Sequence, residues 1–318
     1  APPRYDLPPG SRRLLSRIGP LTPETGGLPA NAFGVEGGRY LYTLMGRTEA
    51  PVSRWASILL RRTLLSAVDT PSTINGADLA AARAKLLLRL GEPQAARMIV
   101  QSVDTSRASP RLRNAALDVY LANADPAGLC PHVPAMVYER DHDRAWELAQ
   151  AMCAGIEGEA GQASALIERA RRRNVAPRID IVLAEKVVGA GPNGRRAARI
   201  QWDDVNRLTA WRFGLATATG VAIPDNLWRS GTPAMRSWAV KAPMIPLDAR
   251  LPFASAAAAR GVLSSRAYVD LVSLAATSDE PAPAMADLAE GLRTAFVGRT
   301  LAARTGAIGG IANMTSDE

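Results

Sequence analysis

Apolar residues recur at helical spacing along this chain, in stretches separated by short turns built from a small residue followed by an acidic one or proline. Leu79, Ala82, Leu86, Leu87 and Leu90 share one helical face before Gly91-Glu92. Ala96, Ile99, Val100 and Val103 repeat the i, i+3, i+4, i+7 pattern after it. The next stripe is Leu112, Ala115, Ala116 and Val119, closed by Ala124-Asp125. Beyond it run Ala145, Leu148, Ala149, Met152, Cys153 and Ile156, then, past Gly158-Glu159, Ala163, Leu166, Ile167 and Ala170. A fourth turn, Gly191-Pro192, continues the series, so the turns recur at intervals of 33, 34 and 33 residues. That period marks stacked helical hairpins, each too small to bury its apolar faces alone.

The turn chemistry suits this reading. Gly or Ala lets the chain leave one helix without steric cost, and Glu or Asp just beyond lies near the positive amino end of the next. With Gly91-Glu92-Pro93-Gln94-Ala95-Ala96 as its best example, the arrangement resembles the inner turn and second helix of tetratricopeptide-type repeats. The large aromatic positions of that consensus are mostly missing. A wider resemblance rests on Arg54-Trp55-Ala56-Ser57-Ile58-Leu59-Leu60-Arg61-Arg62, Leu121-Ala122-Asn123-Ala124-Asp125-Pro126 and Leu183-Ala184-Glu185-Lys186-Val187-Val188-Gly189-Ala190-Gly191. These stretches look like an uncharacterised family of secreted alphaproteobacterial helical proteins, and the resemblance implies an all-helical, exported protein without assigning catalytic residues.

Three regions are expected. Residues 1–50, with Pro8-Pro9-Gly10, Gly26-Gly27 and Gly37-Gly38, read as an extended or partly disordered arm. Residues 51–200 carry the hairpin solenoid. Residues 201–318 lose the repeat phase but stay helical: Leu208, Trp211, Leu215 and Ala218 align on one helix, and prolines break the segment from Leu227 to Pro252. Further helices are expected at Ser255–Val262, Ser265–Ala276 and Ala284–Phe296, before a fraying tail with Gly306, Gly309 and Gly310. The fold class is therefore all-α, a tetratricopeptide-like solenoid with an irregular helical C-terminal region.

Composition supports close helix packing: aromatics make up 5% and Ala and Leu dominate. The net charge is +8, and only Lys85, Lys186 and Lys241 among the basic residues are lysines, a skew read as a GC-rich genome rather than selection for phosphate binding. The chain begins Ala1-Pro2-Pro3 with no initiator Met and has no apolar run near 18 residues. A cleaved signal peptide leaves such a start, as does a chain trimmed before Ala1, and the expectation is a periplasmic protein. Cys130 and Cys153 sit on successive elements that stacking brings together, so a disulfide is expected, with two separate buried thiols as the alternative. Cys130-Pro131-His132 with His142 and Cys153 lacks the paired close spacings of a zinc module.

Three apparent chemical motifs meet plainer explanations. Gly189-Ala190-Gly191-Pro192-Asn193-Gly194 matches a dinucleotide phosphate loop literally, and Ile179-Asp180-Ile181-Val182-Leu183 would pass for its strand. Pro192 removes a needed amide, however, and the repeat calls for an interhelix turn there. Arg169, Arg171, Arg172 and Arg173 with Arg195, Arg196 and Arg199 would make a basic ridge for weak binding to an anionic polymer, or a solvated helix end. His132 and His142, flanked by Asp141 and Asp143, lack a nucleophile elbow, and the pairs Glu157/Glu159 and Asp203/Asp204 sit at helix ends. No catalytic residue, cofactor or metal is expected.

The sequence reads as a non-enzymatic protein-binding scaffold of a bacterial envelope machine: cell-wall synthesis, outer-membrane assembly, or a flagellar or pilus motor. The alternatives are a cytoplasmic adaptor for protein or nucleic acid and, third, an enzyme of unrecognised type. Partner contacts are expected on the polar faces of the first helices, at Arg83, Lys85, Arg111, Asn114, Arg144 and Glu147. The competing surface is the Trp228 to Trp238 region, where exposed tryptophans would anchor an interface.

Overall fold

Three of the four turns close by one geometry. At Gly91 (φ 84°), Ala124 (φ 51°) and Gly158 (φ 86°) the backbone enters the left-handed region. The following residue then donates its amide five residues back: Glu92 to the Leu87 carbonyl, Asp125 to Tyr120, Glu159 to Ala154. These bonds satisfy carbonyls that a helix end leaves without partners. At the fourth turn Pro192 has no amide to donate, so the motif cannot close. Asn174, Gly220 and Gly261 end other helices in the same left-handed way. The motif is thus a general helix stop in this chain and carries less repeat information than its spacing implied.

The computed structural model describes residues 13–50, 53–139, 142–194, 198–277 and 283–314, in two units that divide between Met244 and Ile245. It is mostly helical, with two short strands among the described residues, compatible with a helical repeat. The first unit holds α1 (Gly38–Arg47), α2 (Arg54–Leu65), α3 (Gly76–Arg89), α4 (Pro93–Gln101), α5 (Pro110–Ala122), α6 (Val133–Met136), α7 (Ala145–Ile156), α8 (Ala160–Arg172), α9 (Arg178–Gly189), α10 (Ala210–Ala218), α11 (Asp225–Ser230) and α12 (Pro233–Val240). Strands β1 (Arg17–Ile18) and β2 (Val68–Asp69) pair antiparallel, Ile18 opposite Val68. Local rules explain many helix starts. Ser53, Asn75, Ser109, Thr209 and Thr232 accept amide protons from the first turns they precede, and Pro93, Pro110 and Pro233 occupy first helical positions.

Helices α3–α4 and α7–α8 are hairpins, and α3 lies along α5 as α7 does along α9. Apart from Ala145, Ile156, Leu166 and Ala218, the expected stripes are buried. Between α5 and α7 the stack is interrupted. Pro126, Pro131 and Pro134 turn the second element of that hairpin into a 3-10 helix (Pro126–His132) continued by the short α6. Helix α7 packs on this element, while α10 packs on α5 and α9. Gly214 of α10 approaches α5 so closely that an added Cβ would lie 2.4 Å from the Leu121 carbonyl oxygen. The boundary expected at residue 200 therefore falls instead at Met244, because α10 to α12 complete the same core. Phe213 meets Trp228 and Trp238 edge-on at 6.1 and 5.7 Å.

The opening region also differs from an extended arm, although residues 1–12 lie outside those described. Ile18 and Met45 are buried, α1 packs on α3, and Thr70 Oγ1 donates to the Leu15 carbonyl at 2.6 Å. An added Cβ on Gly76 would sit 2.1 Å from that same carbonyl.

The second unit holds α13 (Leu247–Arg250), α14 (Ala254–Ala259), α15 (Ser265–Ala276), α16 (Pro283–Val297) and α17 (Leu301–Met314). Val272, Ala289 and Leu292 form its small core, flanked by Tyr268, Val269, Leu288 and Ile311. The glycines expected to fray lie within α17, which packs on α16.

Candidate functional site

The residues expected to line an open partner surface are scattered by the fold. Arg83 is 1% exposed and is no surface residue. Its Nε, Nη1 and Nη2 donate to the carbonyls of Leu64, Ile18 and Ser66, each at 2.7 Å. Burial pulls its pKa down to about 9, so it stays cationic at neutral pH. The reason is tertiary: β1 and the end of α2 cover the face of α3 that its periodicity leaves polar. Trp228 and Trp238 are each 6% exposed, and Trp238 Nε1 donates to the Leu88 carbonyl at 3.1 Å. Both are core residues rather than interface anchors. Asn114 accepts from Trp146 Nε1 at 3.2 Å, and Glu147 pairs with Arg173 at 2.9 Å. Arg111 is exposed, paired with Asp78 at 2.7 Å and stacked over Tyr42. Lys85 and Arg144 are also exposed.

Cys130 and Cys153 meet as expected, with Sγ atoms 2.10 Å apart, joining the 3-10 helix to α7. Two residues on, His132 is buried against the Tyr120 ring, its Nδ1 without a partner. His142 instead approaches the Glu139 carbonyl through Nδ1 at 2.7 Å, and Asp143 accepts from the Ala145 amide.

Burial, with the nearby Arg113 cation, holds the His132 imidazole at a pKa of about 4 against an ordinary 6.5. A depressed folded value means the native state favours the neutral ring. Its stabilising contribution is full above pH 6.5 and drains away as pH falls toward 4, on the order of 3 kcal/mol. Asp118, whose pKa burial raises against the pull of Lys85 and with the help of Asp143, acts in the opposite sense. A His132→Gln variant separates the two: its urea stability should fall less than the parent's between pH 7 and 4, and parallel losses would refute the assignment.

A buried ionic group leaves no trace in the helical pattern of the chain. Glu92, 5% exposed, pairs with Arg61 of α2 and with Lys241 Nζ, the latter at 2.5 Å. It ties the first turn to the end of α12. Asp180 likewise holds Arg212 Nε at 2.7 Å while its carbonyl accepts from Trp211 Nε1. Neither pairing has a local sequence signal, because the partners are far apart in the chain.

An open cleft of about 860 Å³ lies between the first turn of α8 and the end of α9. The glycine loop forms one wall. Ile179–Leu183, which a phosphate loop would need as a strand, belongs to α9. The loop leads to no immediate second helix either: residues 198–209 are non-helical, and residues 195–197 lie outside those described. Close approach explains the glycines, since a Cβ on Gly191 would sit 2.2 Å from the Gly155 carbonyl. Asn193 Nδ2 pins the loop to the Gly158 carbonyl at 2.9 Å. Ile167 and Val188 make an apolar floor, and among the described residues the charged ones lining the cleft are Glu159, Glu168 and Glu185. Arg171, behind it, bridges Glu168 at 2.5 Å and Glu185 at 2.9 Å and so fixes α8 against α9. Arg171 is one of the seven arginines of the expected basic ridge, of which Arg195 and Arg196 lie outside the described residues.

Comparison with family models, with curated proteins and with solved structures finds no match to this chain.

Proposed function

We propose that the chain is a non-enzymatic, tetratricopeptide-like protein-binding scaffold of a bacterial envelope machine, exported to the periplasm. The observation that carries the binding role is the cleft between α8 and α9, with its apolar floor under a carboxylate rim. An extended peptide would lay an apolar side chain on Ile167 and Val188 and direct a lysine or arginine to the rim. This reverses the charge of the partner, since the sequence pointed to a mainly basic surface. The cysteine pair supports an oxidising compartment. Among the described residues no helix is long and apolar enough to cross a membrane.

Selection of a random peptide library on the purified protein tests the reading. Enriched peptides should carry a basic residue beside an apolar one. They should bind at least about tenfold more weakly to a Glu159→Lys/Gln162→Lys variant, because like charges then face each other. Enriched peptides that bind both proteins equally would overturn the cleft as the site. Recovery of the native protein with reduced thiols in the cytosolic fraction would overturn the envelope assignment.

A further inference from the structure

The second unit ends in an antiparallel helical hairpin. Helices α16 and α17 are joined across Gly298-Arg299-Thr300, Arg304 Nε donates back to the Ala295 carbonyl at 3.1 Å, and Gly291 faces Ile311. Its tip is apolar and open: Phe296 is 50% exposed, Val297 72% and Leu301 76%. Arg293, Arg299 and Arg304 are exposed around those side chains. Charge is segregated along the hairpin. From Gly291 to Met314 the sequence has three arginines and no carboxylate, whereas Asp287 and Glu290 lie farther back on α16. Arg293 is partly compensated by Glu290 at 3.2 Å, but Arg299 and Arg304 have no acidic partner among the described residues.

We propose that this tip docks on an anionic lipid bilayer, with Phe296, Val297 and Leu301 entering the interface while the arginines meet lipid phosphates. Large exposed apolar side chains are costly in water, and burying them at a headgroup boundary, with basic residues at their margin meeting anionic lipid, recovers that cost. Arginine suits the position because its stem lies among apolar groups while its head stays at phosphate depth. Three exposed side chains at a helix turn make too small a face for the broad burial that a stable protein interface requires. A fluid surface imposes no such demand. Helix α16 has 15 residues, about 22 Å at the usual rise, too short to span the hydrocarbon core, so the attachment is interfacial. Between α15 and α16 a groove of about 390 Å³ sets Arg266 and Arg293 beside Phe296 and Val297, with Asp270 on its wall 3.9 Å from Arg266. It offers room for a headgroup next to the inserted side chains.

Flotation of the full chain with vesicles decides the matter. Protein should rise with phosphatidylcholine vesicles containing phosphatidylglycerol and stay below with phosphatidylcholine alone. Val297→Asp/Leu301→Asp should reduce partitioning more than about tenfold, and Arg293→Gln/Arg299→Gln roughly twenty-fivefold, about fivefold per charge. These side chains are exposed, so the melting curves of both variants should match the parent's. No flotation, equal flotation with the two vesicle types, or a Val297→Asp/Leu301→Asp variant that floats like the parent would each overturn the proposal. So would a concentration-dependent dimer abolished by that variant in the absence of lipid, which would assign the tip to a second copy of the chain.

Discussion

Replacing Arg83 by methionine should lower the unfolding free energy by roughly 3–5 kcal/mol, among the larger effects a single substitution produces. Methionine fills much of the arginine stem's volume, so packing loss is small. What disappears is the donor set. The carbonyls of Ile18, Leu64 and Ser66 converge on one guanidinium, and methionine would leave buried oxygens short of partners. A guanidinium presents its donors in a fixed planar fork, whereas an ammonium is a compact point charge on a flexible stem. Arg83→Lys should therefore recover only part of the loss. The damage should also be local first, because the three carbonyls belong to β1, the end of α2 and the approach to β2. Hydrogen exchange should show the amides of Val68 and Thr70 losing protection before those of α7. Urea unfolding of Arg83→Met within about 1 kcal/mol of the parent would refute the role.

Removing the disulfide should cost roughly 3 kcal/mol in the chain-entropy account. The bond closes a separation of 23 residues, and those residues include the proline-broken segment where hydrogen-bonded helix is shortest. In Cys130→Ala/Cys153→Ala, the 3-10 helix and α6 should lose protection together, exposing Leu129 and Met136, which are fully buried in the parent. Urea unfolding of the oxidised and reduced parent gives the same comparison without substitution. Labelling of unfolded, unreduced protein should find no free thiol. Two labelled cysteines, or a reductant-insensitive unfolding curve, would defeat both the bond and the support it lends to an oxidising compartment.

Much of the helical framework was legible because its signals are local. A 3.6-residue period needs only neighbouring residues to declare a buried face, and the Leu79 and Ile99 stripes are buried as that rule requires. A small residue tolerating positive φ stops a helix wherever it stands, and Gly91, Ala124 and Gly158 do so. The fourth turn, Gly191-Pro192, was expected to join two helices, and among the described residues no helix follows it before Ala210. The cleft was readable only in part. Its glycine loop stood out in the sequence, but the reason for the glycines, a backbone approach to Gly155, depends on how α7 meets α9.

The sequence by itself determined the helices of the periodic stretches, several of their ends and the meeting of two cysteines, all set by spacing within one or two hairpins. Only the tertiary structure decided which polar residues stay at the surface. Arg83 and Lys85 lie two residues apart on one helix, yet one is enclosed by a strand more than sixty residues earlier and the other is exposed. Trp238 is a core residue packed on Phe213, and its Nε1 donates a hydrogen bond to the Leu88 carbonyl, 150 residues away. Helical periodicity states which face wants burial but not which segment will cover it, and the covering segments here are set by long-range packing.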